Sequence, residues 1–166
     1  MFSGILPFKI SCDRATSRNS GNEDPRAEIE KVNRHMRQVI DKANSAGKFN
    51  YYTIEDIRCF FAYLVGERRL LDVNFQSSSI KVIVKCRTLE ILEELWGDYC
   101  SGHLNVVAEE CLITEEVKEK LGMETITLKT TILEEDYVTC KLSLMEISGI
   151  FLLFSTIGIV FLTIRL

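Results

Sequence analysis

The sequence predicts a domain of mixed helices and antiparallel strands that ends in a membrane-spanning helix. Several segments repeat apolar residues at spacings of three and four, as amphipathic helices do, and Asp24 before Pro25, Thr88 and Thr114 are expected to cap three of them. Residues 80–86 instead alternate apolar with mostly polar residues, which is typical of a strand with one buried face. Residues 147–164 carry no charge and lie between Glu146 and Arg165. These three patterns define the expected fold class.

The uncharged segment 147–164 has the length and composition of a transmembrane helix. At ~1.5 Å per residue it would be roughly 27 Å long, close to the ~30 Å hydrocarbon core of a bilayer. Its apolar residues point in every direction around a helix, so the helix needs a wholly apolar environment. A buried central helix of a soluble domain is the alternative, but nothing follows that could cover it. The residues assigned to the span are Ile147, Ile150, Phe151, Leu152, Leu153, Phe154, Ile157, Ile159, Val160, Phe161, Leu162 and Ile164.

Length, charge and cysteine content restrict the classes of protein to which this chain can belong. The chain has 166 residues, a net charge of −4 and a pI near 5.3, with basic residues interspersed among acids. This length suits one domain, and the charge offers no basic footprint for nucleic acid. Six cysteines are scattered without a CxxC pair, and no secretory signal is visible. We therefore expect reduced thiols and a cytosolic body.

We expect three parts along the chain: a flexible leader over 1–23, an interaction domain over 24–146 and a membrane anchor over 147–164. Within the leader, a short strand around 8–11 is considered. The expected topology is tail-anchored, with the body in the cytosol. A span this short fits the endoplasmic reticulum (~27 Å) better than the plasma membrane (~32–33 Å), and one arginine is too little to indicate the mitochondrial outer membrane.

No catalytic, metal or cofactor motif is evident. Cys100 and His103 are the only Cys and His close together, but a metal site needs more ligands and a nucleophile pair needs an orienting group. His35 lies among charged residues on the first helix and is expected to be exposed. We therefore expect a protein that is not an enzyme and that binds no cofactor.

Two stretches carry a resemblance to a known family. They are 95–104 (LWGDYCSGHL), and 128–132 followed by 134–140 (EEDYVTC). With the order strand, helix, capped short helix, strand and helix over 80–144, they resemble the amino-terminal domain of TRADD, a death-domain adaptor of tumour necrosis factor receptor signalling. The chain is still more similar to TRADD-N-like domains that carry an associated membrane segment. Residues 24–46 match the family's first helix more loosely.

The resemblance implies an α+β sandwich of about four antiparallel strands with helices on one face. It also implies a non-enzymatic docking domain, which in the prototype binds the C-terminal domain of TNF receptor-associated factors through the sheet edge and outer sheet face. Here Lys81 stands where the prototype has an apolar contact, the helix over 53–65 has no counterpart, and no death domain follows. The expected partner-binding face consists of Lys81, Ile83, Lys85, Thr127 and Lys129.

The expected function is a membrane-tethered adaptor that recruits or sequesters TNF-receptor-type, innate-immune or cell-death signalling partners. The alternative is a membrane effector that acts through self-assembly of its C-terminal helix. A hydrolase using Cys100 and His103 and a truncated or decoy gene product are further alternatives. The expected partners are the lipid bilayer and a protein, for which a domain like that of the TNF receptor-associated factors is the candidate. Self-association is left open.

Overall fold

One antiparallel sheet and the helices on its inner face make up the fold. The computed structural model describes residues 3–19, 21 and 24–164, and the side chains of these except 48, 49 and 150–164. In chain order the elements are β1 (Gly4–Ser17), α1 (Pro25–Ala46), a 3-10 turn (Lys48–Thr53), α2 (Glu55–Ala62), a π-helical turn (Tyr63–Glu67), β2 (Asp72–Gln76), β3 (Lys81–Cys86), α3 (Leu89–Ser101), α4 (His103–Leu112), α5 (Glu115–Leu121), β4 (Met123–Thr131) and α6 (Glu134–Ile164).

The strand order is β2-β3-β1-β4, so β1 pairs with β3 on one side and β4 on the other. This corrects the expected flexible leader, because Gly4–Ser17 is an interior strand. Its signal is the period of two: Leu6, Phe8, Ile10 and Cys12 are buried, and the residues between them face outward. The polar residues that follow this run suggested a leader, although the strand itself alternates as strands do.

The helices bury their apolar stripes against the inner face of the sheet. Asp24 caps α1 by accepting a hydrogen bond from the Arg26 amide at 3.0 Å, with Pro25 in the first turn, which confirms the predicted start. Val32, Met36, Ile40 and Ala43 on α1 then join the core that the sheet and the other helices share. Thr88 and Thr114 cap α3 and α5 in the predicted way.

Helix α6 continues without a break from Glu134 to Ile164. Its first part belongs to the domain, because Tyr137, Cys140 and Leu144 are buried. In the part of the chain that the structure describes, no helix is long and apolar enough to cross a membrane. The expected fold class is therefore wrong in its transmembrane helix and correct in its α+β class and four-stranded antiparallel sheet.

The described side chains of α6 are those of residues 134–149, its charged first part. The apolar segment continues a helix that starts in the domain, and the described residues of that helix include the charged Glu134, Lys141 and Glu146. Of the residues assigned to the span, Ile147 is described and half-buried. The others lie in 150–164, outside the described side chains.

Candidate functional site

The outer face of the sheet brings together all five residues of the expected partner-binding face. On β3, Lys81, Ile83 and Lys85 alternate with buried residues, and on β4 Thr127 and Lys129 do the same. All five are exposed or half-buried. Strand β1 lies between these two strands, so the two predicted halves form one continuous surface.

Strand β1 adds residues that the sequence analysis missed. Ile5, Pro7, Lys9 and Ser11 face outward between β3 and β4, and Ile5 is 54% exposed. They were missed because the segment was assigned to a leader. The alternation of buried and exposed residues along Gly4–Ser17 is the signal that could have found them.

Three cross-strand rungs organise this face, which we call the outer face. The strand register aligns Gln76, Lys81, Lys9 and Thr131 in one rung, Asn74, Ile83 and Pro7 in the next, and Asp72, Lys85 and Ile5 in a third. Lys85 forms an ion pair with Asp72 across the strands, with 3.7 Å between Nζ and Oδ2. The face therefore presents apolar residues beside lysines.

A groove of about 320 Å³ lies over the first rung. Lys9 and Lys81 line its middle, and Ser79 of the turn between β2 and β3 lines one end. Leu133 and Asp136, at the start of α6, line the other end. The volume is within the usual range of ligand pockets, ~300–1,000 Å³.

Side chains of neighbouring helices cap the two edges of the sheet. On β4 the backbone amide of Leu128 donates to Glu109 at 3.1 Å, and that of Thr130 donates to Asn105 at 2.7 Å. On β2 the side-chain amide of Asn44 donates to the Phe75 carbonyl at 2.9 Å. An added strand would have to displace these groups, so the edge route implied by the family resemblance is obstructed.

Cys100 and His103 lie on either side of the break between α3 and α4. Both are exposed, and Gly102, in the left-handed region at φ 82°, separates α3 from α4 between them. The His103 ring contacts Tyr63 edge-on, with 6.4 Å between centroids. Among the described residues, no group of three or more His, Cys, Asp or Glu is placed to hold a metal ion.

Tyr63 takes part in a polar network that ties the π-helical turn to α3. Its hydroxyl donates to Asp98. Asp98 also forms an ion pair with Arg68, with 2.7 Å between Oδ2 and Nε, and Arg68 forms a second ion pair with Glu94 at 3.4 Å. Burial, followed by the bond to Asp98, raises the pKa of Tyr63. A phenol held neutral by burial suits a structural hydrogen bond, so we assign this network to the packing of α3.

The six cysteines were expected to be reduced thiols, but two of them form a disulfide. Cys59 on α2 and Cys111 on α4 form a disulfide, with their Cα atoms 5.3 Å apart. They are 52 residues apart in sequence, too far for a spacing pattern to reveal the pairing. Cys86 and Cys140 are buried free thiols in contact, and their hydrogen bond, together with burial, raises the pKa of Cys86.

His35 is buried on the inner side of α1, which corrects its expected exposure. The side chain is 7% exposed and lines a small apolar cavity with Ile10, Met36 and Ile57. Burial, followed by the charge of Lys120, lowers its pKa. The charged neighbours of His35 in sequence pointed to a wet face, but a helix turns 100° per residue and places His35 on the face of Met36 and Val32.

The fold and this surface define a class: an α+β domain with helices on one sheet face and a mixed apolar and basic surface on the other. The chain is 34% identical over 73 residues to the DNA-binding death effector domain-containing protein 2 of Homo sapiens. The same identity over the same length holds for that protein of Mus musculus. The match covers 43% of this chain and 22% of each relative, so it spans about a fifth of their length.

No protein-family profile matches the chain. No solved structure matches it either. The similarity is thus partial, and the name of the similar protein includes a death effector domain. The resemblance to the TRADD amino-terminal domain stays a prediction.

Proposed function

We propose that this chain is a non-enzymatic protein-interaction module that acts as an adaptor in cell-death signalling and docks its partner on the outer face. The observation that carries the proposal is the apolar strip of exposed Ile5 and half-buried Pro7 and Ile83, which lies beside lysines on the outer face. The described helices pack on the opposite side of the sheet. Apolar residues exposed side by side mark interaction surfaces more often than isolated ones do.

Two further findings support the proposal. The partial similarity is to a protein whose name includes a death effector domain. The capped edges of β2 and β4 favour docking on the face over addition of a strand. The proposal does not include a membrane tether, because no helix in the described residues could serve as one.

The test is a binding measurement between purified proteins. The full chain is immobilised and exposed to the C-terminal domain of a TNF receptor-associated factor, and separately to the death effector domain-containing relative. We expect binding to one of them that Ile83→Asp weakens at least ~tenfold, about 1.4 kcal/mol. The matched control is Val106→Asp, because Val106 is 49% exposed on α4, away from the sheet.

Two outcomes would contradict the proposal. Equal binding by the wild type and Ile83→Asp would remove the outer face from the interaction. Tight binding to a ~20-base-pair DNA duplex, with the steep salt dependence of phosphate contacts and no protein partner, would make the chain a nucleic-acid module. The name of the relative makes that measurement worth including.

A further inference from the structure

One rung of the outer face concentrates positive charge without a counter-charge. The register places Lys9 directly opposite Lys81. Side chains directly opposite each other have Cβ atoms ~4.5–5.5 Å apart, and like charges in these positions are destabilising. Lys85, two rungs away, has Asp72 as its ion-pair partner. Among the described residues, neither Lys9 nor Lys81 forms an ion pair.

The groove over this rung has the other features of a peptide site. Hydroxyls of Ser79 and Thr131 line it and can donate or accept hydrogen bonds. Leu133 is 51% exposed at one end and Pro7 borders the same groove, so apolar contacts are available beside the charges. Asp136 lies at the Leu133 end and is half-buried. A ligand carboxylate is therefore repelled at that end and attracted toward Lys81.

The turn at the Ser79 end of the groove contains a residue, Ile80, with an unusual backbone conformation. Ile80 has a φ of 47°, in the left-handed region that β-branched residues rarely adopt. Its side chain is 4% exposed, and its carbonyl accepts the Ile10 amide at 3.0 Å. Core burial and this hydrogen bond therefore fix the end of the groove relative to β1.

We propose that the groove binds an acidic segment of a partner protein, with a Glu or Asp carboxylate seated between the ammonium groups of Lys9 and Lys81. An apolar residue of the same segment packs on Leu133 and Pro7. This inference rests on the proposed function and names the chemistry of the partner. A bound carboxylate removes the repulsion between the two lysines, which gives the site its selectivity for acidic sequences.

The observations favour an acidic peptide over nucleic acid. A nucleic-acid strand would place its run of phosphates against Asp136 at one end of the groove, whereas a peptide can place an apolar residue there. The apolar contacts at Leu133 and Pro7 suit a side chain rather than a phosphate backbone. Duplex DNA and a second copy of this chain are outcomes that the experiment distinguishes.

The experiment measures the fluorescence anisotropy of a labelled peptide made of Leu-Glu-Glu repeats, titrated with the full chain. The matched peptide replaces every Glu with Gln. We expect the acidic peptide to bind, the Gln peptide to bind at least ~tenfold more weakly, and added salt to weaken the acidic peptide because exposed charges are screened. Lys9→Glu combined with Lys81→Glu should abolish binding, whereas Lys31→Glu, the same charge change on the exposed side of α1, should leave it unchanged.

A second measurement avoids any dependence on variant folding. A carbodiimide joins carboxylates to amines in direct contact, so the wild-type chain with the acidic peptide should yield mass-spectrometric crosslinks at Lys9 and Lys81. Crosslinks spread over other lysines, equal binding of the Gln peptide, or tighter binding of duplex DNA at the same lysines would overturn the inference. Peptide-independent dimerisation through this groove, seen by light scattering, would also overturn it.

The inference and the proposed function can fail separately. A protein partner whose binding is lost in Ile83→Asp and kept in the double lysine variant would overturn the acidic-segment inference and leave the proposed function intact. Binding of the acidic peptide without any effect of Ile83→Asp on a protein partner would do the reverse.

Discussion

The carboxylate of Glu109 on α4 accepts a hydrogen bond from the backbone amide of Leu128 on β4 at 3.1 Å. Asn105, one helical turn earlier, accepts from the Thr130 amide in the same way at 2.7 Å. Residues four apart share one face of a helix, so α4 presents both acceptors to the strand. The free edge of β4 is thereby closed by side chains, one of the ways in which proteins protect sheet edges.

Asn105→Ala should destabilise the domain and open this edge. The Thr130 side chain is 3% exposed, and its hydroxyl and amide both donate to Asn105. Leaving a buried donor without a partner costs about 1–3 kcal/mol. We expect a loss of that size in the free energy of unfolding, measured by urea denaturation, and concentration-dependent self-association by light scattering. Glu110→Ala, an exposed neighbour on α4, is the control, and equal stability of the two variants would contradict the edge assignment.

Gly4→Ala should strain the packing of α6 on the sheet. A Cβ at Gly4 would lie 2.6 Å from Cys140 Sγ and 3.1 Å from the Cys140 carbonyl oxygen. The helix must shift to accept it, and overpacking of this kind costs about 1–3 kcal/mol. Thermal unfolding should show a lower Tm.

Gly97→Ala is the matched control for that substitution. Gly97 is inside α3 with no atom within 4 Å of the added Cβ, so alanine should stabilise by about 0.5–1 kcal/mol. A Tm for Gly4→Ala at or above the wild-type value would show that α6 does not pack closely on β1.

Reduction of the Cys59–Cys111 disulfide should lower stability. The bond links α2 to α4 across 52 residues of chain, and a disulfide closing a loop of that size contributes about 2–4 kcal/mol. We expect dithiothreitol to lower the Tm of the wild type and to leave Cys59→Ser/Cys111→Ser unchanged. Titration of denatured, unreduced protein should find four thiols, the number of free cysteines in the structure. Six thiols would mean that the bond does not form.

His35 should make stability fall at acid pH. Burial lowers its pKa in the folded state below the ordinary value of 6.5, so the unfolded chain binds more protons as the pH falls through that value. Its contribution is complete above about pH 6.5 and is lost below it. The free energy of unfolding should therefore drop less between about pH 7 and about pH 5 in His35→Leu than in the wild type.

His103→Leu is the control for the pH experiment, because His103 is the only other histidine and is exposed. A His35→Leu variant with the same pH dependence as the wild type would place the His35 ring in contact with water.

Local patterns predicted much of the fold. The helix starts at Asp24, Thr88 and Thr114 could be recognised because a cap is an interaction between residues two or three apart. The outward position of Lys81, Ile83 and Lys85 followed from the period of two along one strand. Such features depend only on residues close together in sequence, so they can be recognised from the sequence alone.

Only the tertiary structure revealed the contacts between residues that are far apart in sequence. The pairing of Lys9 with Lys81 joins residues on two strands far apart in sequence, and no pattern in either strand reveals it. The Cys59–Cys111 bond and the burial of His35 depend in the same way on how helices pack.

Periodicity alone determined which side chains of a strand share a face, because the geometry of one strand dictates it. Only the packed structure decided that β1 is an interior strand and that its lysine completes the groove. Strand order depends on the free energy of burying whole faces of the sheet against the helices, and no single segment of the sequence determines that free energy.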